Sequence, residues 1–170
     1  NLVKKNNNSL VLIGQRARFA NQNLGWIEFG KEVKEIKGTK VFEFKKLIYR
    51  PTLKQAEQFL SADNFAWNPG YFVTTPKFLL SQFEKITPNL YKGITKIKDD
   101  KTLETIYPTL EKISFDNAIL EKIDPRYVSV IAADLGWSDV GAWEALKEAL
   151  ERQSDENVTK GKVIINDSSD

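Results

Sequence analysis

Hydrophobic and polar positions along this chain switch repeatedly between a period of two and a period near 3.6, the signatures of strands and helices. Leu10-Val-Leu-Ile13, ending at Gly14, is a continuous apolar run suited to a buried strand placed centrally in a sheet. Gln15 to Asn23 has no period and reads as a loop, after which Leu24 to Phe29 and Glu32 to Ile36 read as short strands around Gly30. A turn at Lys37-Gly38 opens a longer strand, Lys40 to Ile48, in which Phe42 and Phe44 alternate with Val41, Glu43 and Lys45. In Pro51-Thr52-Leu53-Lys54-Gln55 a helix begins: Thr52 caps it and Gln55, three residues on, completes a capping box. Leu53, Ala56, Phe59 and Leu60 then share the face that packs on a sheet, while Lys54, Glu57 and Gln58 face water.

Phe65 to Thr74 predicts a turn leading into a strand, and Thr75-Pro76 starts a helix whose buried face is Phe78, Leu79 and Phe83 and which Pro88 ends. A short helix comes after Asp99 and Asp100. Ser114 to Lys122 predicts another, with Ser114 as cap, Asp116 in the first turn where the helix dipole favours negative charge, and Lys122 in the last. Val128 to Ala133 is a short core strand, followed by Ser138-Asp139 and a helical pattern of Val140, Trp143, Ala145, Leu146 and Leu150. Strands alternate with helices without a repeat, so the expected class is α/β with a mainly parallel sheet. Asp139 falls where a strand end meets a helix start, the place where open α/β sheets bind ligands. Two roles fit it. Asp is a preferred helix cap; alternatively it ligates a divalent metal, with Gly136 and Gly141 letting a phosphate-bearing ligand approach the backbone. The pattern leaves both open.

Composition narrows the chemistry. The 170 residues suffice for one domain with a sizeable core, and 41% hydrophobic residues is ordinary for a globular protein. A net charge of +2, from 25 basic and 23 acidic residues spread throughout, gives no basic face, so no nucleic-acid partner is expected. The chain has no Cys and no His, which removes a disulfide frame, a thiolate nucleophile and the commonest general base. Chemistry must rest on carboxylates, Lys, Arg and backbone groups. No apolar run approaches a membrane span and the first residues lack a signal core, so no membrane partner and a cytoplasmic location are expected; a homo-oligomer is left open. The chain also lacks Met and starts inside a polar run, which reads as a segment cut at both ends.

Gly136-Trp137-Ser138-Asp139-Val140-Gly141-Ala142-Trp143 resembles the Gly-Trp-Ser-Asp-Val-Gly-Ser-Trp motif of bacterial mannose-1-phosphate guanylyltransferases. In that family the aspartate is a magnesium ligand, and the resemblance assigns Asp139 that role. Three further segments match in the same order. Phe65-Ala-Trp67-Asn68-Pro69-Gly70-Tyr71-Phe72 resembles Tyr-x-Trp-Asn-Ser-Gly-Met-Phe, in which the asparagine hydrogen-bonds the sugar and the glycine lets backbone come close, roles that carry over to Asn68 and Gly70. On composition alone Asn68 equally reads as a turn residue before Pro69. Ser114 to Lys122 resembles Ser-Ile-Asp-Tyr-Ala-Val-Met-Glu-Lys, and Asn157 to Asp167 resembles the strand that begins the family's C-terminal β-helix; both read as structural. Lys160 and Lys162 around Gly161 lack the glycine spacing of a phosphate loop and read as solvated.

The departures are specific. Where the family has Glu-Lys-Pro, with the acid on sugar hydroxyls and the lysine on the sugar phosphate, this chain has Tyr49-Arg50-Pro51. Arg50 keeps the positive charge as a bidentate fork, whereas Tyr49 removes the carboxylate. The Thr-Gly-Tyr-Gly-Tyr-Ile turn becomes Gln22 to Ile27, keeping Gly25 and Ile27. The glycine-rich nucleotide loop is missing, since Gly14 is followed by Gln-Arg-Ala-Arg. The resemblance therefore implies part of a Rossmann-like (GT-A-like) nucleotidyltransferase domain. Its sugar-phosphate half spans residues 1–152, and a linker with the start of a β-helix region spans 153–170. It also implies mannose 1-phosphate and GTP as substrates, Mg2+ as cofactor, GDP-mannose and pyrophosphate as products, and a segment inactive alone. The sugar-phosphate set is Gly25, Arg50, Asn68 and Gly70. A related enzyme for another sugar or base, and a non-catalytic assembly domain with the same fold, are the rival readings.

Overall fold

In the computed structural model, which describes residues 2–140, 146, 147, 150, 157–159 and 161–166, the chain opens with one helical turn, α1 (Leu2–Lys5), and strand β1 (Leu10–Arg16). Strand β2 (Gly25–Ile36) runs unbroken through Gly30, where two short strands were expected; its register against its partner slips between Glu28 and Lys34 instead. Lys37 and Gly38 take left-handed φ values of 51° and 79°. A two-residue hairpin needs that geometry, and β3 (Thr39–Tyr49) therefore returns antiparallel on β2. The capping box at Thr52 and Gln55 forms as read, with both reciprocal hydrogen bonds, and starts α2 (Leu53–Leu60). This helix seats through buried Ala56 and through Phe59, which stacks 4.3 Å from Phe65, while Leu53 and Leu60 stay largely exposed at its flanks.

Strand β4 spans Phe65–Thr74, so the Asn68-Pro69-Gly70 segment read as a turn lies inside a strand. Thr75 caps α3 (Pro76–Ile86), and Pro88, which ends it, also begins α4 (Pro88–Ile94). Asp99 caps α5 (Asp100–Ile106). Ser114 Oγ accepts from the Asn117 N–H, as a cap should, but the helical turn it opens, Asp116–Leu120, is a π turn rather than an α-helix. Strand β5 (Val128–Ala133) lies where the apolar run places it.

The α/β class stands. The mainly parallel sheet is corrected: among the described residues four of the five strand pairings are antiparallel, and only β1 with β5 is parallel. Hydrogen bonding runs β1-β4-β2-β3-β5 and back to β1, closing the strands into a barrel. A continuous apolar run such as Leu10–Ile13 reports only that both faces of a strand are covered; the direction of its neighbours depends on connections far along the chain. The core is built from Leu10, Leu12, Ile27, Phe44, Ala66 and Val130 of the strands, with Phe78 and Leu120 packed onto it from the helical segments. Each of the larger side chains among these contributes roughly 1.5–3 kcal/mol on burial. Gln15, read as the start of a loop, is fully buried in β1, where its amide donates to Asp134 and accepts from the Leu135 N–H, tying the end of β5 to β1.

The chain divides into two compact units, up to Leu135 and from Gly136 onward. In the second, Leu146, Lys147 and Leu150 are helical, and 161–166 form no strand, with Ile164 96% exposed. Apolar residues make a strand only against a partner, and none of the described strands pairs with this stretch. Among the described residues no helix is long and apolar enough to cross a membrane.

Candidate functional site

Three strands bring the sequence-predicted residues of the first unit together. Gly25, the first residue of β2, pairs with Tyr49 of β3 on one side and with Asn68 of β4 on the other, so Asn68, Gly25 and Tyr49 form one row. Against β1, the strand β4 advances from Trp67 to Tyr71 while β1 advances only from Gln15 to Ile13, and Asn68-Pro69-Gly70 arches out as a bulge. A bulge needs no ladder donor from Pro69 and re-aims the side chains beside it. Gly70 has φ +77° with open space around it, so backbone conformation rather than crowding requires glycine there. Gly25 is the opposite case, since a Cβ on it would lie 3.3 Å from Asn68 Cβ and 3.6 Å from Asn68 Nδ2. Asn68 is only 8% exposed and is held at both ends. Its Oδ1 accepts from the Gly70 N–H at 3.1 Å, and its Nδ2 donates to Asp116 Oδ1 at 2.9 Å. Asn68 thus holds the bulge through Gly70 and ties β4 to Asp116.

The other end of the row carries the cation. The Tyr49 N–H donates to Glu121 Oε1 at 2.9 Å, and Asn117 Nδ2 donates to Glu121 Oε2, also at 2.9 Å. Arg50 comes next with φ 49°, a left-handed conformation that a non-glycine residue adopts at an energetic penalty on the order of 1–3 kcal/mol. Its exposed guanidinium lies 5.3 Å from the centroid of the Tyr49 ring and makes no ion pair among the described residues. The sequence pattern marks Asp116 only as a charge in a helix's first turn and gives Glu121 no site role. Five residues apart, they would point about 140° away from each other on an α-helix at 100° per residue. A reading at helical period has no means of pairing them.

The family model for nucleotidyl transferases matches residues 1–156. This chain belongs to the nucleotidyl transferase family. It is 27% identical over 168 residues to the mannose-1-phosphate guanylyltransferase of Escherichia coli, covering 94% of this chain and 36% of that protein. It is 29% identical over 167 residues to the alginate biosynthesis protein AlgA of Pseudomonas syringae pv. tomato, covering 94% of this chain and 34% of that protein. A crystal structure described as mannose-1-phosphate geranyltransferase from Thermus thermophilus superposes with a TM-score of 0.76 at 24% identity, covering 95% of this chain and 46% of that one, which shows the shared fold. The resemblance read from the motifs therefore stands. This nucleotidyl transferase chain spans about a third of the length of the curated relatives it matches.

The remaining candidate of this nucleotidyl transferase, Asp139, lies in the second unit and is exposed. Gly141 and Trp143 of the same motif, and Lys160, lie outside the described residues, as does the first turn of the helix that Asp139 would cap; Lys162 is exposed, as read. Among the described residues no three metal-ligating side chains come together.

Burial pushes the Asp116 carboxyl above its ordinary value; the hydrogen bond from Asn68 opposes this, and the negative charge of Glu121 adds to it. A carboxyl with a raised folded pKa binds more protons folded than unfolded. Its contribution to stability is therefore fully present below the unfolded value of roughly 3.9 and is lost as pH rises through the folded pKa. Asp116→Asn removes the titration while its amide oxygen still accepts from Asn68. In denaturant unfolding followed across pH, the variant should gain on the unmodified chain as pH rises from about 3.9 and then hold a constant difference once Asp116 is ionised. A difference that does not change with pH would show that Asp116 is unperturbed.

Proposed function

We propose that this chain forms the sugar 1-phosphate half of a guanylyltransferase, which joins mannose 1-phosphate to GTP and releases GDP-mannose and pyrophosphate. The observation that carries the reading is the row of Asn68, Gly25 and Tyr49 with the exposed Arg50 guanidinium at its end. Asn68 spends one amide proton on Asp116 and one lone pair on the Gly70 N–H, so one donor and one acceptor remain for a sugar hydroxyl. Gly25 leaves room beside that amide. Arg50 presents a planar fork that meets two phosphate oxygens at once.

In the reaction an oxygen of the sugar phosphate attacks the α-phosphorus of GTP; the new O–P bond forms as the bond to the bridging oxygen breaks, and pyrophosphate takes the departing electron pair. Such transfer needs positioning and charge neutralisation rather than a covalent intermediate, which suits a chain without His or Cys. Magnesium is commonly held by one or two carboxylates together with substrate phosphates, and an exposed single aspartate such as Asp139 fits that donor set. When bound there, the ion would neutralise charge on the transferring phosphate. Tyr49, standing where the Glu-Lys-Pro motif that this stretch resembles has an acid, favours a second reading in which the sugar is not mannose, and glucose 1-phosphate and galactose 1-phosphate are the comparison ligands.

Two variants test the proposal. Titration calorimetry should find mannose 1-phosphate bound by the 170-residue chain more tightly than the other two sugar phosphates, and Asn68→Ala should weaken it by roughly 1–3 kcal/mol. Unchanged affinity with a lowered melting temperature would leave Asn68 with the bulge role alone. In the intact enzyme, Asp139→Asn should abolish magnesium-dependent pyrophosphate release while leaving the melting temperature in place, because Asn caps a helix about as well as Asp but carries no charge. Near-normal turnover of that variant across a magnesium titration would make Asp139 a cap.

A further inference from the structure

One turn of helix touches both arms of the candidate site. The π-helical turn Asp116–Leu120 closes with a hydrogen bond from the Glu121 N–H to the Asp116 carbonyl at 2.9 Å, five residues back. That wider turn brings Asp116 and Glu121 to the same side, where they contact different strands of the row. Asp116 accepts from the side chain of Asn68 on β4, and Glu121 accepts from the backbone of Tyr49 on β3. The turn cannot shift easily, because Ala118, Ile119 and Leu120 are at most 2% exposed. Wide turns of this kind inside helices are uncommon and concentrate at functional sites.

We propose that Asp116 and Glu121 are positioning residues, two ends of one brace that sets the sugar arm through Asn68 and the phosphate arm through Tyr49 and Arg50; this rests on the sugar 1-phosphate reading above. Asp116 fixes which way the Asn68 amide faces: with Nδ2 drawn to the carboxylate, Oδ1 is left for the Gly70 N–H. Glu121 holds the last residue of β3 immediately before the backbone turns left-handed at Arg50, and thereby fixes where the guanidinium emerges. Neither carboxylate takes part in an ion pair among the described residues, so both act as hydrogen-bond acceptors. An amide oxygen in the same place can do that work.

The test is binding of mannose 1-phosphate, of mannose and of inorganic phosphate to the 170-residue chain and four variants. Asp116→Ala should weaken mannose 1-phosphate and mannose about tenfold while leaving phosphate within about twofold; Glu121→Ala should weaken mannose 1-phosphate and phosphate by a similar factor while sparing mannose. Asp116→Asn and Glu121→Gln should stay within about threefold of the unmodified chain. A second readout needs no variant: the side-chain amide resonances of Asn68 should move with the titration of the Asp116 carboxyl. Alanine variants that bind normally, amide variants as weak as the alanine ones, or Asn68 resonances that ignore the Asp116 titration would each overturn the positioning role. Failure of the unmodified chain to bind mannose 1-phosphate would overturn the sugar-phosphate reading beneath it.

Discussion

The hydrogen bond from Asn68 Nδ2 to the half-buried Asp116 carboxylate is the contact on which the candidate site depends. It links a strand bulge to a helix turn 48 residues further along, and it decides which atoms of Asn68 remain available. Without an acceptor opposite Nδ2, the amide could rotate, and the Gly70 N–H would lose a fixed partner. Burial opposes ionisation of Asp116, and the hydrogen bond from Asn68 is what favours the charged form. Burial and this hydrogen bond thus act in opposite directions on one carboxyl, beside the row where β2, β3 and β4 meet.

A similar constraint acts at Arg50. A left-handed residue directly after a long strand is strained, and the surroundings must hold it there. Pro51 comes next with its fixed φ, the Thr52 capping box begins α2 at once, and Glu121 anchors the preceding N–H. These restraints come from separate parts of the chain and meet at one cation.

The local rules of the sequence carried far. The Thr52-Gln55 capping box, the helix starts at Thr75-Pro76 and after Asp99, and the hairpin at Lys37-Gly38 all form from residues within a few positions of one another, which is why a pattern reading finds them. The motif resemblance placed Gly25, Arg50, Asn68 and Gly70 in one site, and the barrel brings Gly25 and Asn68 into direct register. What failed depends on distance. The sense of the sheet is set by which strands meet across the whole chain, and no alternation of residues encodes it. Asn68-Pro69-Gly70 has the composition of a turn, yet pairing with Gly25 on one side holds it in β4 and leaves the irregularity as a bulge on the other. Asp116 and Glu121 escaped because a π turn breaks the 3.6-residue period on which any helical reading relies.

If the row of Asn68, Gly25 and Tyr49, with Arg50 at its end, is where a sugar phosphate binds, the backbone amides along it must sense the ligand. Mapping amide shifts of the isotope-labelled chain during titration with mannose 1-phosphate tests this most directly. The largest shifts should fall on Gly25, Tyr49, Arg50, Asn68 and Gly70, with smaller ones on Asn117 and Glu121 behind them, and all should saturate together. Saturable shifts centred elsewhere on the barrel, such as around Lys45 and Arg126, with the row unmoved, would contradict it.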